Sequence, residues 1–234
     1  MLYINRLLSE EEGVPRLEQQ LKSLNVGKPI SVDYKGKELE TGIYKHPIQG
    51  NVFIGKDYID GDGQADLVNH GGCDKAVCVY PFEHYPYWES HLGKSLDYAA
   101  FGENLTVTGM LEAEVCIGDI FQIGEAILQV SQPRYPCFKL SQKHGAADLP
   151  AQVLKTGFSG FYFRVLQTGY INSNSTIRKL ESHPAQVRVL EILQMLARGH
   201  KGIDPETLQR MAELDVLATV IRERFQGWLE ETES

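Results

Sequence analysis

A mostly β domain followed by a short helical extension is the architecture the sequence predicts, and three observations carry it. Short apolar runs bounded by Gly, Pro or Asn recur up to about residue 180. Their spacing is uneven and few helical patterns separate them, which favours a barrel or sandwich over a parallel α/β sheet. After Ser182 the apolar residues fall into a helical period instead. The boundary is therefore expected there, with residues 1–180 as the β domain and 181–234 as the helical extension.

In chain order, strands are expected at 2–7, 29–34, 51–54, 76–80, 104–107, 119–123, 127–131 and 160–167. Helices are expected at 14–24, 83–91 and 149–155. In the extension, Val187, Leu190, Leu193 and Leu196 recur at a spacing of three. Asp204-Pro205 then places a capping acid before a proline suited to the first helical turn. A second stripe runs through Leu217, Val220, Ile221, Phe225 and Trp228, so three short helices fit the segment.

The 234 residues are 42% hydrophobic and 23% charged, the balance of an ordinary folded chain. A net charge of −8 argues against a surface built to bind a nucleic acid polymer, while leaving room for a small basic pocket. No apolar run is long enough to cross a bilayer, and Glu10, Glu11 and Glu12 fall where a signal peptide needs apolar residues. The expectation is a cytoplasmic protein without membrane association. Cys73, Cys78, Cys116 and Cys137 form no C-x-x-C pair and too sparse a set for a disulfide scaffold, so reduced thiols are expected.

Neither a Walker loop nor a G-x-G-x-x-G fingerprint occurs. The run Asp60-Gly61-Asp62-Gly63-Gln64-Ala65-Asp66 resembles a calcium loop only superficially, since Ala65 and Gly71 stand where glycine and a bidentate glutamate are needed. His70-Gly71-Gly72, with Asp66 before it and Lys75 after it, could be a turn whose N–H groups face an anion; a plain hairpin turn is the commoner use. In Gln132-Pro133-Arg134-Tyr135-Pro136-Cys137, two prolines restrict the backbone that presents Cys137, and Arg134 is close enough in sequence to hold a thiolate. A buried thiol beside a structural arginine is the alternative. Cys78, between Val77 and Val79, reads as core, and Cys73 and Cys116 as structural. Glu103 and Asn104, in the turn Phe101-Gly102-Glu103-Asn104, could bond a polar heterocycle or tie down the turn. The aromatic stretch 81–88 reads as helix packing in so acidic a chain.

Together these segments resemble the MOSC family, the domain related to the C-terminal part of molybdenum-cofactor sulfurases, and within it the stand-alone YiiM-like bacterial branch. The matching stretches are TGIYKHPIQG at 41–50, DGDGQADLVNHGGCDKAVCVYPFEHYPYW at 60–88, FGENL at 101–105 and GDIFQIGEAILQVSQPRYPCFKL at 118–140. They occur in family order, and the helical tail is similar to the small extension of that branch. The resemblance implies a β-barrel-like domain binding a molybdenum–pterin cofactor, with Cys137 as the metal ligand. Thiolate is the soft donor such a centre favours. It further implies a pocket from His70, Lys75, Asn104 and Arg134, with Lys45, Asp66 and Glu103 as additional candidates.

Members of the branch are associated with reduction of N-hydroxylated bases such as 6-hydroxylaminopurine. The implied function is a molybdenum-dependent reductase of N-hydroxylated small molecules, with His70 and Lys75 as proton donors or cofactor clamps. No flavin fingerprint or iron–sulfur spacing occurs, so a separate electron-donating reductase is implied. A second reading is a carrier that holds the cofactor, or a persulfide sulfur on Cys137, for another protein. A metal-free cysteine enzyme is a third. The tail's apolar stripe suits a homodimer contact, a dock for the reductase or a cover for the pocket, with burial against the β domain as the default.

Overall fold

The computed structural model describes residues 18–65 and 71–232. The strand expected at 2–7 and the site candidates Asp66 and His70 lie outside the described residues. The segment expected to be helical at 14–24 is instead strand β1, Gln20–Val26, over its described part. Leu17, Leu21 and Leu24 follow a helical period, but Ser23-Leu24-Asn25 also alternates, and all three are buried. Leu24 enters the core, while the Ser23 hydroxyl donates to Asn25 Oδ1 at 2.7 Å and Asn25 Nδ2 donates to Thr106 Oγ1 at 3.2 Å. Pairing with a neighbouring strand outweighs the local helical preference.

A hairpin follows, β2 at Ile30–Tyr34 and β3 at Lys37–Thr41, then two short strands, β4 at His46–Pro47 and β5 at Val52–Ile54. Strand β6, Val77–Pro81, leads into helix α1, Tyr85–Leu92, and β7 occupies Leu105–Thr108. Strands β8, Ile120–Ile123, and β9, Ala126–Pro133, form a hairpin. Beyond it lie α2, Phe138–His144, which the sequence reading missed, and α3, Leu149–Thr156. The β region closes with β10, Phe161–Gln167, β11, Gly169–Ile171, and β12, Ile177–Glu181. Three helices complete the described chain: α4, Val189–Arg198, α5, Pro205–Ala212, and α6, Thr219–Thr232.

Eight strands make one curled sheet in the order β12-β8-β9-β10-β6-β7-β1-β4, antiparallel throughout except where β6 meets β7. A bridge between Gln20 of β1 and Thr176, the residue before β12, joins the two sides of the sheet into a barrel-like shape. The barrel's apolar interior is continuous with the helical tail. Phe121, Phe161, Phe163 and Val130 share one cluster with Val189, Ile192, Leu208, Leu217 and Phe225. The stripes read from sequence thus face the sheet, as helix stripes in globular proteins generally do. A second cluster, built on Tyr80, Trp88, Phe101, Leu140 and Leu149, fastens α1, α2 and α3 to the other surface of β6.

Candidate active site

Where β6, β10 and β9 run side by side, the register sets Cys78 opposite Tyr162 and Tyr162 opposite Gln132. Strand side chains alternate between faces, so Val77 and Val79 enter the barrel core while Cys78 faces the other way. Cys78 and Tyr162 line an open cleft. The expectation that Cys78 is buried holds, at 7% exposed, and the structure adds that it lies outside both apolar clusters and lines the cleft. Burial pushes the Cys78 thiol pKa up, with the Arg134 charge opposing.

Asn104 lines the same cleft, but its amide is committed to neighbours. Its Oδ1 accepts from the Cys78 backbone N–H at 3.0 Å, and its Nδ2 donates to Asn25 O at 3.3 Å and Asp62 Oδ2 at 2.9 Å. Glu103 does not line the cleft. Buried behind it, the carboxylate accepts from the Tyr85 hydroxyl at 2.5 Å, Thr106 Oγ1 at 2.8 Å and the Phe101 N–H at 3.0 Å.

One wall is built from two loops in close contact. A Cβ on Gly42 would stand 2.6 Å from Gly63 O, and one on Gly102, at φ +78°, would strike the Ile43 side chain, so glycine is required at both positions. Asp62 organises this wall, pairing with Lys45 and accepting from the Gly27 N–H at 2.9 Å. The sequence reading passed over Asp62 when it set the calcium loop aside. Behind the wall, Lys143 Nζ donates to Ile43 O at 3.1 Å and Ala99 O at 2.6 Å, and burial lowers its pKa to about 8.

The opposite rim is the chain between β9 and α2. Arg134 N donates to Gly160 O at 3.0 Å, which fixes the backbone as it leaves the sheet. Arg134 is 9% exposed, and its Nη1 is buried with no hydrogen-bond partner among the described residues. Burial works against its charge, yet Cys78, Tyr162, Cys137 and Glu103 hold the pKa above the ordinary arginine value. Cys137, half-buried at the N-cap of α2, lines the cleft beside it. Lys75 enters from a turn of 3-10 helix, Cys73–Lys75, and Lys139 from α2. Among the described residues, four cationic side chains, Lys45, Lys75, Arg134 and Lys139, therefore surround one carboxylate, Asp62. This is a basic cleft on an acidic chain, with thiols at its floor and rim. Lys139, Tyr162 and Cys78 were not read from sequence as site residues; the alternation of β6 about Val77 and Val79 was the available signal for Cys78.

The chain is similar to several known proteins. The family model described as MOSC domain matches residues 66–178. The uncharacterised protein YflK of Bacillus subtilis (strain 168) is 50% identical over 189 residues, which cover 81% of this chain and 78% of YflK. A protein of Gibberella moniliformis (strain M3125 / FGSC 7600) named Reductase is 37% identical over 199 residues, 82% of this chain and 35% of that protein. Among solved structures, YiiM from Geobacillus stearothermophilus superposes with a TM-score of 0.77 at 38% identity, covering 90% of this chain and 99% of that one. No helix of the described residues is long and apolar enough to cross a membrane.

Proposed function

The chain belongs to the MOSC domain family, and from that premise we propose that it is a molybdenum-cofactor reductase of N-hydroxylated small molecules such as 6-hydroxylaminopurine. MOSC domains are associated with molybdenum cofactor, and the similar protein named Reductase supports an oxidoreductase activity. The observation that carries the reading is the Arg134 Nη1, buried without a partner among the described residues in a cleft that also holds the Cys137 thiol. An unpaired buried donor costs free energy unless a ligand satisfies it, and a cationic one calls for an anion.

The donor set fits the cofactor. Cys137 offers soft thiolate ligation, and Arg134, Lys75 and Lys139 offer cationic partners for an anionic pterin phosphate. When bound, the molybdenum centre supplies two electrons, which with two protons convert R–NH–OH to R–NH2 and water. The chain's own contribution is to bind, orient and protonate. Lys45, buried against Asp62, is held in one position at the wall. His70 retains its proposed part as a proton donor or clamp, as does Lys75. Electrons come from a separate reductase.

Protein purified from a host that makes molybdenum cofactor tests the reading by metal analysis and a reductant-driven assay on 6-hydroxylaminopurine. Wild type carries molybdenum and turns over. Cys137→Ser folds but loses both, because a hydroxyl is a poor ligand for this soft metal. Full metal content and turnover in Cys137→Ser would overturn the ligand assignment.

A further inference from the structure

Lys75 reaches the cleft from a single turn of 3-10 helix, a segment too short to fix its own position. The preceding residue ties this turn to the rest of the fold. Asp74 Oδ1 accepts from Arg164 Nε and Nη2, both at 2.8 Å, and Oδ2 accepts the backbone N–H of Thr219 at 3.2 Å. The main-chain oxygen of Asp74 accepts from the Ser131 hydroxyl at 2.6 Å. Thr219 opens α6, and the residue before it, Ala218, donates its N–H to Ser131 O at 3.0 Å. The junction between α5 and α6 thus grips two neighbouring points, the turn that carries Lys75 and the stretch of β9 that runs on to Arg134.

We propose that this junction is a positioning device, in which the Asp74 carboxylate, held by Arg164 and Thr219, places the Lys75 ammonium in the cleft and so lets the helical tail set the cleft's attraction for anions. Asp74 is a positioning residue acting through Lys75. The proposal rests on the basic-cleft reading above, and it gives the tail a function beyond covering the barrel.

Thr219 allows an unusually selective test. Proline is tolerated at the first helical position, where the N–H has no intrahelical partner, so Thr219→Pro deletes the hydrogen bond to Asp74 and leaves α6 able to form. Thr219→Ala, which keeps the N–H, is the control. The readout is alkylation of Cys137, followed by peptide mass mapping, with anionic iodoacetate and with neutral iodoacetamide. The two reagents are similar in size, so their rate ratio reports the local field more than access to the thiol.

Thr219→Pro is expected to lower the anionic-to-neutral ratio about three- to tenfold, the range one hydrogen bond supplies, with Thr219→Ala near wild type. Asp74→Asn separates position from charge: removing a nearby negative charge alone would raise the ratio, whereas misplacing Lys75 lowers it. An unchanged or raised ratio in folded Thr219→Pro and Asp74→Asn, with Lys75→Ala lowering it, overturns the coupling and leaves the basic cleft standing. If Lys75→Ala itself changes nothing, the contribution of Lys75 to the basic cleft falls, and the coupling with it. Should Thr219→Pro lose its cooperative melt, Asp74→Asn decides the matter.

Discussion

Cys78 and Cys137 line one cleft from opposite kinds of backbone. Cys78 sits inside β6, flanked by β10 and β7, with its N–H held by Asn104. Cys137 follows Pro136, beyond the end of β9, and stands half-buried with Arg134 close by in the same rim. Asn104 pins the strand thiol's backbone and spends its amide on neighbours, whereas Arg134, on the rim, keeps an Nη1 without a partner among the described residues and its charge reaches both thiols. The floor therefore supplies rigidity and the rim supplies binding capacity, a division general to sites whose reactive groups sit on loops held by a scaffold.

The largest expected effect comes from breaking the floor. Asn104→Ala strands the Cys78 N–H and Asn25 O and releases Asp62, so chemical denaturation should show a loss of about 2–4 kcal/mol. A loss under half a kcal/mol would mean that the floor is not held as described. At the rim, Arg134→Met should weaken phosphate binding, measured by calorimetry, about ten- to hundredfold while leaving the melting temperature unchanged or higher. Removing a buried charge that lacks a full set of partners relieves a cost rather than creating one. A lower melting temperature with intact phosphate affinity would reverse the roles of floor and rim.

The smallest effect belongs to Cys78→Ser. Metal content should match wild type, and stability near neutral pH should fall by about 1 kcal/mol as a hydroxyl enters a buried strand. Because the folded state raises the Cys78 pKa, its thiol favours folding below the unfolded value and loses that contribution as pH climbs past roughly 8.5. The wild-type decline in stability above that pH should accordingly be shallower in Cys78→Ser. Equal slopes would remove the burial argument, and lost metal would make Cys78 the ligand.

The strands that sequence reveals are those whose apolar residues and bounding turns agree, as at β6, β9 and β10. Strand β1 was hidden because its leucines also fit a helix, and only the partner strand β7 decides between the two. Helix α2 was hidden by its brevity and by Pro136 just ahead of it. In the site, Cys137, Arg134 and Lys75 stand in motifs whose spacing is local. Tyr162 and Asp62 reach the cleft through pairings and loop contacts between distant segments, which no local pattern encodes, and Lys139, two residues after Cys137, is carried by the helix that the sequence hid. Cys78 lay between the two cases: its apolar neighbours suggested core, and alternation alone pointed the other way.

The bridge between Gln20 and Thr176 bears on how the protein comes into being at the ribosome. One side of the barrel's closure, the Gln20 end of β1, emerges early and waits until almost the whole β region has been synthesised, since β4 covers only Asn25 and Val26 on that edge. Contacts so distant in sequence form slowly, and an open edge is exposed to wrong partners in the meantime. The cleft inherits that schedule. Its walls are drawn from Thr41 through Tyr162, so a ligand can meet a finished site only after these distant segments have come together, and loading follows folding instead of guiding its first steps.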